Sequence, residues 1–238
     1  MTLQKADDPR LDATLVCLVV AEGCVVGPTP PALADELREL AAKRAAEEFP
    51  PAEIKDAVRG MLRAGGYKPA GRQKPASEYL AQAAREGRFP VINGPVDCNN
   101  LLSLETGLPI SLLDLRAFRA ASASAASASA ASASAADSVG ATIRIGGAGE
   151  AYVFNASGHE MDLEGLLCVC DGAGTPLGNP VKDSMAGKLR EDSVDLAGFI
   201  YAPPALYSRE ALLAVGTRFA ELLARYAGAR RAAALGIA

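Results

Sequence analysis

Apolar residues recur at the helical period in several stretches of the chain. Leu33, Leu37 and Leu40 predict a helix that starts after Thr29-Pro30, read as an N-cap and first-turn proline, and runs to about Ala46. Pro50-Pro51 breaks it. Ile54, Val58, Met61 and Leu62 mark a second helix, closed by Gly65-Gly66, and Tyr79, Leu80, Ala83 and Ala84 a third, ending at Gly87. Near the C-terminus, Leu212, Leu213, Val215, Phe219, Leu222 and Leu223 share one face of a terminal helix over 209–227. Between these stretches the texture is that of strands: Thr14–Val20 with a short partner at Cys24–Val26, then Ala141–Ile145, Ala151–Asn155, Leu163–Cys170 and Val194–Tyr201. Helices at both ends and short strands in the second half predict an α+β fold rather than alternating βαβ units.

Residues 91–114 interrupt this simple pattern. They read as an extended lead-in, a short helix and a sharp exit. Asp97 is placed at the N-cap, Gly107 just past the C-terminus, and Pro109 forbids continuation. Asn99, Asn100, Ser103 and Glu105 then crowd one short element with hydrogen-bonding groups. Another anomaly comes after it. Residues 121–135 are three copies of Ala-Ser-Ala-Ser-Ala, with no large apolar side chain to build a repeat core. The stretch 117–139 is expected to be a flexible insert between ordered segments.

Composition narrows the class. Of 238 residues, half are hydrophobic and 22% are charged, which suits a globular protein with a sizeable core. A net charge of −4 excludes a globally basic nucleic-acid binder but not a local basic patch. Lys55, Arg59, Arg63, Lys68, Arg72 and Lys74, with Asp56 alone against them, are the candidate for one. The bland alternative is a solvated helix face. Five cysteines, Cys17, Cys24, Cys98, Cys168 and Cys170, match no zinc spacing and are expected to be small buried residues in a reducing compartment. The N-terminus lacks a signal-peptide profile and no apolar run can span a bilayer, so a cytoplasmic protein without membrane contact is expected.

The glycine-rich stretches do not make a nucleotide site. Gly146–Gly149 is succeeded by strand-like residues. Pro176 and Pro180 interrupt the segment after Gly172 and Gly174, so neither stretch opens a helix toward a phosphate. His159, the single histidine, is expected to be an exposed turn residue. Lys182-Asp183-Ser184 places a cation, an anion and a hydroxyl in succession after a flexible loop. There Lys182 and Lys188 could hold a phosphate or carboxylate as point charges, Asp183 could orient water, and Ser184 could donate or accept.

Val96-Asp97-x-x-Asn100, then Leu104-Glu105, Gly107, Pro109 and Asp114, resembles the opening motif of the B3/B4 domain found in the β subunit of phenylalanyl-tRNA synthetase and in free-standing relatives. Gly71–Leu80, Arg144, Asp171-Gly172, Lys182-Asp183-Ser184 and Ala202-Pro203 keep the family's order over residues 67–206. The resemblance implies a β-sandwich-like core flanked by N-terminal helices and a C-terminal helix. It divides the chain into 1–90, a helical segment with a leading strand, and 91–238, a tRNA-binding domain interrupted at 117–139. It also implies a pocket that hydrolyses misacylated tRNA. A synthetic site cannot strongly reject an isostere that adds one hydroxyl, so a second, hydrolytic site is needed.

Carried over residue by residue, Asn100 falls on the family's pocket asparagine and would orient the substrate. Lys182 would hold the terminal phosphate or ribose, and Asp183 with Ser184 would position water. Asn99, Ser103, Ser111, Lys188 and Phe199 are the further binding candidates. Ser111 stands where the bacterial motif usually has histidine. Phe199 stands near the glutamate that contacts tyrosine, so tyrosine specificity does not carry over. The expected partner is tRNA or aminoacyl-tRNA, with no DNA, metal or cofactor. The alternatives are an RNA-binding module without catalysis and a small-molecule binder that reuses the pocket.

Overall fold

The computed structural model describes residues 1–119 and 139–238. The Ala/Ser repeat lies outside the described residues, as does all of the expected insert except 117–119, which are helical, and Val139. The fold is α+β. Strands β1 (Thr2–Lys5) and β2 (Leu15–Glu22) precede four helices: α1 (Pro31–Ala45), α2 (Ala52–Arg63), α3 (Ala76–Arg85) and α4 (Gly94–Thr106). Strand β3 (Ile110–Asp114) comes next, then β4 (Gly140–Ile145), β5 (Ala151–Val153), β6 (Glu160–Asp162), β7 (Leu167–Cys170), β8 (Pro176–Gly178) and β9 (Leu196–Ala202). Helix α5 (Arg209–Tyr226) and strand β10 (Arg231–Ile237) complete the chain.

One sheet runs β1-β4-β7-β8, with β1 parallel to β4; the other runs β10-β2-β9-β3 and is antiparallel throughout. The hairpin β5–β6 stands apart. The two sheets share one apolar core. β3 and β9 are buried along their whole length, and such strands read as apolar runs without alternation. α5 lies on β2 and β10. The contact is close because position 216 is glycine: a Cβ there would stand 2.5 Å from the Cys17 Sγ.

Most periodic positions of α1, α2 and α5 face this core as expected, whereas Leu213, placed on the same face of α5, is exposed, and Ala84 of α3 joins a smaller cluster with Ala41, Phe49, Ala81 and Leu104. Leu33, Leu37, Val58, Met61, Leu62, Leu212, Phe219, Leu222 and Leu223 are all buried. All five cysteines are free and buried. The strands β1 and β2, both before residue 90, sit in sheets whose other members come from residues 110–237.

Several local expectations are corrected. Cys24–Val26 is not a strand. The N-cap of α4 is Asn93, whose Oδ1 accepts from the Val96 N–H at 3.0 Å, with Pro95 in the first turn. Asp97 is instead fully buried; it accepts from the Ile92 N–H at 3.0 Å and from the Thr29 hydroxyl. Thr29 therefore ties α4 down rather than capping α1, which starts after Pro30. At the other end Gly107 has φ +76° and its N–H donates to the Ser103 carbonyl at 2.8 Å, the left-handed stop predicted.

Candidate functional site

The hydrogen bonds at the start of α4 decide which of its polar groups are free. Asp97, buried in the first turn, has the Asn100 carboxamide as a further polar neighbour. Burial raises the Asp97 pKa above the ordinary carboxylate value, against the bonds from Thr29, Ile92 and Asn100 that lower it. Asn99, Asn100 and Ser103 then line the floor of a cleft of about 490 Å³, on one side of the helix as their spacing requires. Ala76, Tyr79 and Leu80 of α3 with Ile110 and Val181 give it apolar walls; Arg72 and Lys182 also line it. The Asn99 Oδ1 is buried with no hydrogen-bond donor among the described residues. A buried acceptor left open is costly unless something outside the chain donates to it.

A second cleft of about 540 Å³ shares Arg72 and Lys182 with the first. Its wall is aromatic. The Lys182 ammonium lies 4.1 Å from the Phe154 ring centroid, and His159 stacks on Phe154 at 6.1 Å with 25° between planes. Lys188 reaches the same strand end and donates to the Phe154 carbonyl at 2.6 Å. The Lys182 pKa is lowered by burial first, then by the neighbouring charges of Arg72 and Lys188. Among the described residues none of these three cations forms an ion pair. The rest of the basic stretch is partly committed elsewhere. Arg59 forms a two-point pair with Glu78 at 2.7 Å, and Lys74 bonds Gln82 and lies over Tyr79.

The remaining candidates line neither cleft. Ser111 is fully buried, with its hydroxyl 2.6 Å from Asp183 Oδ1, 2.9 Å from the Tyr201 hydroxyl and 3.2 Å from the Asn179 carbonyl. Asp183 is partly buried and turned inward. Its Oδ1 also accepts from the Asn179 N–H at 3.3 Å, and burial pushes its pKa up to about 7 despite bonds from Ser111 and Asn179 and the charge of Lys188. Ser184 is buried: its N–H donates to the Leu177 carbonyl at 3.0 Å and its Oγ accepts from the Gly187 N–H at 3.1 Å. Phe199, paired with Ser111 across β3–β9, is a core ring 5.7 Å from Phe118. The site residues thus divide into two groups. Asn99, Asn100, Ser103 and Lys182 meet in the first cleft, while Ser111, Asp183, Ser184 and Phe199 knit the loop after β8 to the sheet beneath; Lys188 falls in neither group and holds the Phe154 carbonyl beside the second cleft.

Tyr79 and Phe154 line the clefts although sequence pattern alone does not single them out as site residues. Arg72 carries a signal in the basic stretch. Phe154 carries none, because a lone aromatic at a strand end is ordinary core chemistry. Among the described residues no group of histidine, cysteine and carboxylate side chains could hold a metal, and no helix is long and apolar enough to cross a membrane.

No protein-family model matches the chain, and no curated protein matches it in sequence. Among solved structures, an N-terminal fragment of the phenylalanyl-tRNA synthetase β subunit from Pyrococcus horikoshii aligns with a TM-score of 0.47 and 11% identity. The alignment covers 98% of this chain and 50% of that one, so the chain spans about half the length of the fragment it matches. This is a weak resemblance of fold.

Proposed function

We propose that the protein is a B3/B4-like domain that takes the aminoacylated 3′ end of a tRNA into the first cleft and hydrolyses a misattached amino acid in trans. The observation that carries this reading is one cleft lined by two carboxamides, a hydroxyl, an apolar wall and two cations with no ion-pair partner among the described residues. The apolar wall suits an amino-acid side chain. Arg72 and Lys182 suit the phosphate of the terminal nucleotide. Asn99 and Asn100 would hold the ester and a water in line; an ester needs less activation than an amide, so positioning supplies much of the rate. Asp183 and Ser184 serve this proposal as framework, holding the loop from which Lys182 projects.

The test is release of amino acids from a panel of mischarged tRNAs. Asn100→Ala should slow release on the order of 100-fold, as expected when one preorganised hydrogen-bonding group is lost from a reaction centre. Unchanged ester half-lives across the whole panel would remove the hydrolytic reading.

A second reading, RNA binding without hydrolysis, is favoured by one observation. Among the described residues no carboxylate or histidine lines the first cleft, and the carboxylate next to Lys182 in sequence, Asp183, is engaged by Ser111. The sign of this second reading is tRNA affinity that falls steeply with salt while every ester persists.

A further inference from the structure

The second cleft has a chemistry that ester hydrolysis does not use. Its aromatic pair sits at the tip of the β5–β6 hairpin and is held in place from several sides. Asn155 Oδ1 accepts from the His159 N–H at 3.1 Å, and the Asn155 carboxamide meets His159 Nδ1 at 2.9 Å, which fixes the ring. The Phe154 N–H donates to the His159 carbonyl at 3.0 Å. Lys188 holds the Phe154 carbonyl, and Lys182 lies against the ring itself. His159 is exposed. An exposed, orientation-locked heteroaromatic ring stacked on a second ring is a poor use of a turn position for stability, since it buries little apolar surface in the core. It is a suitable platform for a planar ligand. Around it the cleft is polarised. Arg72 and Lys182 supply positive charge, and Glu160 and Asp162 lie along the same lining as acceptors.

We propose that this second cleft binds one nucleotide of a single-stranded RNA segment: its base stacks on His159, its phosphate lies against Arg72 and Lys182, and its ribose hydroxyls donate toward Glu160 or Asp162. Stacking platforms combined with cations are the general solution for holding unpaired nucleotides without reading sequence. Because Arg72 and Lys182 border both clefts, a strand bound here leads directly into the first cleft. The inference rests on the tRNA-end reading for the identity of the strand, and its test needs no ester.

The experiment measures binding of an uncharged single-stranded RNA hexanucleotide and of adenosine monophosphate to the full chain by fluorescence anisotropy and competition. The hexanucleotide is expected to bind about ten-fold or more tighter than the mononucleotide, because several phosphates and bases then contribute. His159→Ala should weaken hexanucleotide binding by about ten-fold, and His159→Phe should restore most of that loss, since stacking survives without the imidazole. The proposal is overturned if wild type binds neither probe at millimolar concentration, or if His159→Ala binds the strand as wild type does. Equal affinity for both probes would also overturn it, by marking a free-nucleotide site. Loss of hydrolysis in the mischarged-tRNA panel leaves these results standing, and a negative result here leaves ester release to be judged by that panel.

Discussion

Replacing Asp183 by asparagine tests whether this carboxyl is kept neutral by the fold. Burial raises its pKa from an ordinary 3.8 to about 7, and this outweighs the hydrogen bonds and the Lys188 charge that act the other way. Between those two values the unfolded chain gives up the proton and the folded chain keeps it. The unfolded state therefore binds fewer protons, and stability must fall as pH rises from about 4 to about 7, then level off. Each pKa unit is worth ~1.4 kcal/mol, so the full effect is on the order of 4 kcal/mol above pH 7. The carboxamide of the variant would stay neutral at every pH, and its oxygen can accept the donors that now reach Asp183 Oδ1. Asp183→Asn should match wild type near pH 4 and become progressively more stable than it up to pH 7. Urea denaturation at pH 5, 6, 7 and 8 reads this directly. With a slope of ~3 kcal/mol per molar, the midpoints should differ by about 1 M at pH 8. A midpoint difference that does not change with pH, or a variant less stable than wild type at every pH, would show that the carboxyl is ionised in the fold and refute the reasoning.

Other expectations bear on separate parts of the molecule. Gly216→Ala places a methyl 2.5 Å from the Cys17 Sγ. Overpacking α5 against β2 should cost ~1–3 kcal/mol, seen as a lower thermal midpoint. Asn93→Ala removes the α4 cap and should cost ~1 kcal/mol in urea denaturation, whereas Asn93→Asp should cost far less. Arg72→Gln should weaken RNA binding to a similar degree across sequences and flatten the logarithmic salt dependence by about 0.7 if it neutralises one phosphate of a single strand.

Much of the helical framework is legible from periodicity because tertiary packing agrees with local preference. Leu33 and Leu37, or Phe219 and Leu223, are apolar at helical spacing and buried in fact. The strands at the chain ends are less visible. β10 is Arg-Ala-Ala-Ala-Leu-Gly-Ile, a run of alanine that carries helix preference. It becomes a strand because the edge of β2 offers it partners from Arg231↔Glu22 to Ile237↔Cys17. β3 is hidden for another reason: Pro109 reads as a full stop, yet proline is well tolerated just before a strand. The cap of α4 turns on a choice between two good capping types. Asn93 and Asp97 both qualify, and Pro95, two residues after Asn93, is the signal that separates them.

The triplet Lys182-Asp183-Ser184 shows why the site is only half legible. Three polar residues in a row look like one constellation, but consecutive side chains on a loop rarely face the same way. Here Lys182 lines both clefts, Asp183 turns to Ser111 and Asn179, and Ser184 is absorbed in the turn to Gly187. The two inward residues do a physical job for the outward one. Asn179 Oδ1 accepts from the Val181 and Lys182 N–H groups, both at 2.8 Å, and the Lys182 carbonyl accepts from the Tyr152 hydroxyl at 2.5 Å. The backbone under Lys182 is thus bonded from both sides, and Asp183 fixes the same loop through Asn179 and Ser111. From this fixed backbone the side chain leaves toward the clefts, and its ammonium lies 4.1 Å from the Phe154 ring centroid. Chemistry-bearing residues can be picked out of a sequence by type, but whether they are contacts or supports depends on which side of the backbone each one leaves, and that is set by partners as distant in the chain as Ser111 and Tyr152.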